Sequence, residues 1–334
     1  MKDSKFESYV IHEGDRPIYT TTSPSIITKD GVVLERFWQH NGSFHSGYEG
    51  LWKELLVRSV LLPFRYGLDV GHRKDRVLVF ENSWSAGYYH WLIEALPRLI
   101  ALRKYFGLLP VAFSGRLPNN WFYSWLRDIS GSKLIDYSGR GGILTAGAVF
   151  SQNPSVMSEF YREELLHFVE FVRSSILDGP SDFNVPRKIY ISRKSATHRR
   201  FSNEDVAEKF FEKCGYKVVE LQKLSFPEQV RLFSDATDVA AIHGAGLSNI
   251  IFMKPGTSVI EFIQEPDVEF TWGSRRKTHL LNPCFKGLAD VFNINYVPVF
   301  SKLDKAALNG DVKSKYGTLH ADLIFDKSTM CDEI

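Results

Sequence analysis

Cysteine is scarce in this chain of 334 residues: only Cys214, Cys284 and Cys331 occur, in an odd number and with no CxxC spacing. That excludes a disulfide framework or a zinc site and reads as reduced thiols in a cytosolic protein. Charge of one sign is equally lacking. The 41 basic and 39 acidic side chains leave a net charge of +2, so no overall field draws the chain to nucleic acid or membrane. Anion recognition must come from local clusters of cations. No run approaches the ~20 consecutive apolar residues of a bilayer-spanning helix. Met1 to Tyr9 has no apolar signal-peptide core, and Asn41-Gly42-Ser43 reads as a chance match to a glycosylation site. There is no internal repeat and no low-complexity tract. With 44% apolar and 24% charged residues, disorder is excluded as well. At roughly 100–200 residues per domain, the length indicates two domains.

What is present is alternation. Lys188 to Ser192 carries a strand signal, and Ser202, three before Asp205, has the spacing of a capping box that opens a helix through Val206, Phe210, Phe211 and Cys214. Gly215 stops that helix, and Tyr216 to Leu221 reads as strand. Ser225 and Glu228 open a second helix, Asp238 to Ile242 is a strand, His243 to Asn249 a glycine-containing turn into a helix, and Thr257 to Ile263 the last strand. This predicts a parallel sheet with covering helices. The first half alternates less regularly: strands at Val77–Phe80, Val111–Phe113 and Ile143–Phe150, helices at Tyr88–Tyr105, Trp121–Ile129 and 158–177. Asp178 to Pro186 is rich in breakers and reads as a linker. The expected division is 1–180 and 181–334, two α/β halves with a ligand cleft between them.

Two features of the second half suit an anion. The turn His243-Gly244-Ala245-Gly246-Leu247-Ser248-Asn249 lets a ligand approach its backbone and presents a helix N-terminus, which suits a diphosphate; an isolated GxG also serves as a plain structural turn. Between Arg187 and Arg200 stand six cations and no acid, which places Arg193, Arg199 and Arg200 at the carboxyl edge of the same sheet. Arginine holds phosphate bidentately, although a charge run alone is most often a solvated loop. Glu261, near the end of the next strand, has the position of a carboxylate that accepts ribose hydroxyls, or of an exposed strand-end charge. In the first half, His90, Glu94 and Arg98 recur every four residues as one polar helical stripe. Tyr88-Tyr89-His90-Trp91 beside it suits an aromatic-walled sugar pocket with a carboxylate-held histidine; a surface ion pair of Glu94 and Arg98 is the plainer alternative. Pro97 is expected to kink this helix.

Together these blocks resemble glycosyltransferase family 61. Gly87 to Arg98, Tyr190 to Arg193 with Arg199 to Asn203, Leu224 to Phe233, and Ile242 to Asn249 through Glu261 stand in the family's order over roughly residues 77–263. The resemblance implies an α/β, GT-B-like architecture of two Rossmann-like doubly wound domains facing a cleft. It also implies inverting transfer from a nucleotide sugar to a glycan hydroxyl without a required metal. By position, Arg193 and Arg199 or Arg200 contact the phosphates with Asn203 in support. The stretch His243, Gly244, Ala245, Gly246, Leu247 through Asn249 cradles the diphosphate, and Glu261 reaches the ribose. The family often has Asn where this chain has Gly87.

On this reading His90 is the base that takes the acceptor proton, with Glu94 fixing its tautomer, and the arginines stabilise the leaving diphosphate in place of a metal. No DxD stands in a loop where manganese is expected, and Glu204-Asp205 opens a helix instead. No cofactor is expected beyond a UDP-linked donor, which enters as substrate. The expected partner is a glycan or lipid-linked glycan acceptor, with no nucleic acid. The setting is a bacterial cytoplasm, at the inner membrane face where Arg275, Arg276 and Lys277 assist, and the role hexosyl or pentosyl transfer in surface polysaccharide synthesis. A nicotinamide-dependent oxidoreductase is the rival enzyme, but the chain lacks a GxGxxG after its first strand. A polysaccharide-binding protein that kept the fold and lost activity is the non-enzymatic rival.

Overall fold

A computed structural model describes residues 9–13, 18–20, 26–27, 33–34, 70–72, 75–81, 85–113, 131, 133–136, 142–145, 147–151, 162–178, 186–265, 269–272, 275–278, 283–304 and 321–330. The chain divides into two compact units, Met1–Ser175 and Ile176–Ile334, and both contain parallel sheet with helices. The helix expected at Trp121–Ile129, most of the breaker-rich stretch (179–185) and Cys331 lie outside the described residues.

In the first unit, β1 (Tyr9–Glu13), β2 (Ile18–Thr20), β3 (Ile26–Ile27), β4 (Val33–Leu34), β5 (Val70–His72) and β6 (Arg76–Val79) precede a π-helical turn at His90–Ala95 and helix α1 (Leu96–Phe106). Strands β7 (Val111–Phe113), β8 (Leu134–Asp136), β9 (Gly142–Leu144) and β10 (Gly147–Ser151) follow, then helix α2 (Arg162–Leu177). One sheet has the order β1-β10-β6-β7-β8 and is parallel except at its β1/β10 edge. Its centre is built on Val77, Leu78 and Val79, all without solvent exposure, the uninterrupted apolar run of a strand covered on both faces. The other sheet has the order β4-β3-β2-β9-β5. The single strand expected over Ile143–Phe150 is therefore two strands, one in each sheet.

The helix expected over Tyr88–Tyr105 is present, and its hydrogen-bond pattern widens just before Pro97. Pro97 has no N–H, and its ring would strike the carbonyl four residues back in an α-helix. The chain answers with a π turn over His90–Ala95 just before the proline, in which the Leu96 N–H donates to the Trp91 carbonyl. Single π turns inside helices recur at functional sites.

The second unit holds β11 (Lys188–Ile191), α3 (Glu204–Lys213), β12 (Lys217–Val219), α4 (Phe226–Asp235) and β13 (Asp238–Ile242), then a 3-10 helix at Ala245–Phe252. It continues with β14 (Ser258–Gln264), the antiparallel pair β15 (Glu269–Trp272) and β16 (Arg275–Thr278), α5 (Cys284–Phe292) and β17 (Asn295–Ser301). Five strands form an all-parallel sheet in the order β12-β11-β13-β14-β17, the arrangement of a doubly wound Rossmann-like sheet. β14 is thus not the last strand, since β17 extends the sheet beyond it.

Local signals explain the helix ends. Gly215 (φ +82°) closes α3 with paired bonds, Gly215 N–H to the Glu212 carbonyl (3.0 Å) and Tyr216 N–H to the Phe211 carbonyl (2.9 Å), a Schellman motif. The Ser225–Glu228 capping box opens α4, with the Ser225 N–H donating to Glu228 Oε2 at 2.7 Å. The box expected from Ser202 and Asp205 does not form at α3; Glu204 folds back to accept from the Phe201 N–H (3.0 Å) in its place. Beneath α3 lies an aromatic core in which Tyr190 stacks on Phe211 at 4.5 Å between centroids, and Phe325 from the tail packs on Phe201 and Phe262.

Candidate active site

The order of the second sheet places its switch point between β11 and β13, whose carboxyl ends run into Arg193 and into the glycine turn. Ligands of open α/β sheets bind at that edge, where the chain departs from adjacent strands in opposite directions. The two anion-binding devices of the sequence meet there. Gly244 lies against the Arg193 guanidinium so closely that a Cβ at 244 would come within 3.0 Å of Nη1 and to 3.2 Å from Cζ. Its backbone is extended (φ 177°), so the glycine is required by the approach of Arg193 and not by its dihedral.

Arg193 is pinned. Its Nε donates to the Arg199 carbonyl (2.7 Å) and its Nη2 to the His198 carbonyl (2.8 Å). The loop is held from below by the buried carboxylate of Glu204, which accepts from the Tyr190 hydroxyl (2.7 Å), the Arg193 N–H (3.1 Å) and the Phe201 N–H (3.0 Å). Arg199 takes a left-handed conformation (φ 51°), unusual for a side chain with a Cβ, and its Nε is shut off from solvent with no hydrogen-bond partner among the described residues. Burial first, then the like charge of Arg193, bring its guanidinium down to about 10. Arg193 is lowered too, by burial. Two crowded guanidinia that pair with no carboxylate among the described residues are a site that an anion would relieve.

The turn adds backbone donors. Leu247 N–H closes the first 3-10 turn on the Gly244 carbonyl (2.9 Å), which leaves the Ala245 and Gly246 N–H groups as the first two of the helix, without intrahelical acceptors. Gly246 is tight for another reason: a Cβ there would stand 2.9 Å from Leu221 Cδ1. His243 precedes the turn with its ring edge-on to Phe285 at 5.1 Å, and its Nδ1 lies 2.5 Å from Glu261 Oε1.

Four residues expected at the ligand have other occupations. Glu261 has no solvent exposure, and its second oxygen accepts from the Tyr296 hydroxyl at 2.5 Å, so a buried strand carboxylate stands where a ribose contact is expected. Arg200 pairs with Asp322 (Nε to Oδ2, 3.0 Å). Asn203 clamps the tail: its Nδ2 donates to the Phe325 carbonyl (2.9 Å) and its Oδ1 accepts from the Phe325 N–H (2.8 Å). Asn249 is fully buried and donates to Gln229 Oε1 and to the Gly246 carbonyl, both at 3.1 Å, so it shapes the turn from behind. The sequence carried no signal for Tyr296, Cys284 or the buried role of Glu204.

The first unit positions His90 on the π turn. Its Nδ1 lies 3.0 Å from Glu94 Oε1, with the His90 side chain 20% exposed and that of Glu94 6%. The expected polar stripe is not an exposed face: Arg98 is buried and its Nη1 donates to the Phe80 carbonyl (2.9 Å) at the end of β6. Trp91 is wholly buried, edge-on to Phe80 at 5.5 Å, and so belongs to the core and not to a pocket wall. Tyr89, half-buried and edge-on to the His90 ring at 5.3 Å, remains beside the histidine.

The second unit thus defines an open parallel α/β protein whose switch point brings the Arg193 guanidinium against the glycine turn. The family model described as Glycosyltransferase 61 matches residues 88–260. The chain belongs to that family and is a glycosyltransferase, a protein that moves sugar from a donor to a glycan acceptor. No curated protein matches it. The match contains His90, Glu94, both arginines and the glycine turn, while Glu261, Cys284 and Tyr296 lie beyond it. Among the described residues, no helix is long and apolar enough to cross a membrane.

Proposed function

We propose that this protein transfers a sugar, with inversion, from a nucleoside-diphosphate donor to a glycan hydroxyl without a required metal, within a GT-B organisation. The observation that supports it most directly is the convergence of Arg193, Arg199 and the Gly244–Gly246 amides on one edge of the second sheet. A diphosphate supplies the charge this edge lacks. As the anomeric C–O bond breaks, its electron pair goes to the diphosphate, and the guanidinia and amides meet that charge electrostatically. The Arg200 contribution expected from the sequence passes to Arg199.

The acceptor hydroxyl loses its proton to His90 as it attacks. Glu94 Oε1 stands 3.0 Å from Nδ1 outside hydrogen-bond geometry, so the carboxylate acts on the ring by its charge and favours the imidazolium that forms as Nε2 takes the proton. The donor is UDP-linked, and the acceptor a glycan, lipid-linked in a bacterial surface-polysaccharide route at the cytoplasmic membrane face. A thermal-shift panel of UDP, GDP and CMP tests the reading. Stabilisation by one of them is expected, and indifference to all three would leave the glycan-binding alternative.

A further inference from the structure

Glu261 is the most deeply committed charged group near the glycine turn. It has no solvent exposure, and its two oxygens are held by His243 Nδ1 and by the Tyr296 hydroxyl, each at 2.5 Å. Three successive segments contribute: the end of β13, the middle of β14 and β17. A carboxylate is buried at such cost only when its charge has work to do or its partners compensate it. Here the partners are a phenol that remains protonated and an imidazole that is 20% exposed. Burial, followed by the charge of Glu261, holds the Tyr296 phenol well above its usual range, so it stays a donor. Cys284 at the start of α5 is pushed up by the same two causes and stays a neutral thiol. Around His243 the charged or titratable groups are thus Glu261 from β14, Tyr296 behind it on β17, Cys284 from α5, and Arg193 and Arg199 from the loop after β11; Phe285 supplies an apolar ring.

We propose that Tyr296, Glu261 and His243 form a relay that makes His243 a cation when the diphosphate binds, so that its Nε2–H becomes a third positive donor to the leaving group. This rests on the diphosphate reading of the edge and adds a role for residues beyond the family match. Glu261 holds Nδ1, an arriving diphosphate brings negative charge to the turn, and a proton enters from solvent onto Nε2. During transfer the electron pair of the breaking C–O bond goes to the diphosphate, whose added charge is met by that Nε2–H; no proton need leave the ring. His243 touches the substrate, while Glu261 and Tyr296 are positioning residues that act through it.

Calorimetric titration of the full chain with inorganic pyrophosphate, near neutral pH in buffers of different ionisation heat, counts the protons taken up on binding. Wild type is expected to take up about one proton more than His243→Asn or Glu261→Gln. Both variants should bind about 10- to 100-fold more weakly, as for loss of a charge-assisted hydrogen bond, and the double variant no more weakly than either alone. Tyr296→Phe keeps the carboxylate and should retain the proton uptake with an affinity loss of about 3- to 10-fold. A merely structural role for Glu261 would lower the melting temperature of the unliganded variant and leave the proton count at the wild-type value; that result overturns the relay. Should Glu261→Gln not fold, His243→Asn decides alone, since wild-type uptake in that variant is equally fatal. A wild type that binds neither pyrophosphate nor UDP overturns the diphosphate reading itself, and the relay with it.

Discussion

Gly244→Ala isolates the contact on which the donor site depends. The backbone at 244 is extended, so alanine adopts it without strain, and the loss of unfolded-chain freedom should favour the variant by about 0.4–1 kcal/mol. Against this, the new methyl would lie within 3.0 Å of Arg193 Nη1 and 3.2 Å from Cζ. A long side chain usually yields to such an intrusion, but this one is tied through Nε and Nη2 to the carbonyls of Arg199 and His198 at 2.7 and 2.8 Å. Moving the guanidinium weakens hydrogen bonds of a charged donor, each contributing about 1.5–3 kcal/mol. The unliganded protein should therefore lose a net ~0.5–2 kcal/mol, seen as a fall of roughly 2–4 °C in Tm per kcal/mol for a unit of this size. UDP binding by calorimetry should weaken by about 10- to 100-fold, because the displaced guanidinium no longer meets a phosphate oxygen. In an Arg193→Ala background the same substitution should change either quantity by less than ~0.5 kcal/mol, since its target is gone. Wild-type affinity in Gly244→Ala, or full additivity in the double variant, would refute the argument.

Arg199→Met removes a cation that burial first, and then the neighbouring Arg193, make costly to keep charged, on the order of 3 kcal/mol. Its unliganded melting temperature should hold or rise while the stabilisation by UDP disappears; destabilisation with the UDP response intact would contradict the anion site. His90→Ala should abolish sugar transfer and leave UDP affinity within about 0.5 kcal/mol; measurable turnover at a wild-type rate removes it as base. Asn203→Ala deletes the paired bonds to Phe325 and should cost about 1–3 kcal/mol in chemical denaturation. It should also weaken UDP binding by loosening the loop that carries Arg199, and an unchanged denaturation midpoint would deny the clamp.

The elements that could be read from the chain are those whose cause is local. The uninterrupted apolar runs at 189–191 and 239–242 mark covered parallel strands, Gly215 marks a helix end through its positive φ, and Ser225 with Glu228 marks a helix start through a three-residue reciprocal bond. The glycine turn and the cation run at the edge of one sheet were legible for the same reason, because each follows a strand directly. Pro97 announced a disturbance, which takes the form of the π turn at His90–Ala95.

What the tertiary structure alone decided is where each polar side chain finds its partner. Arg199 and Arg200 are indistinguishable neighbours in sequence. One is turned into the site by a left-handed backbone, and the other is captured by Asp322, 122 residues away. Asn203 is claimed by Phe325 over the same separation, and Glu261 by Tyr296, 35 residues on. A buried polar group must be satisfied, and the nearest group able to satisfy it in space is not encoded by its neighbours in the chain. Residue types and local backbone therefore announced the proposed phosphate edge, whereas long-range packing decided which of its polar side chains are engaged elsewhere.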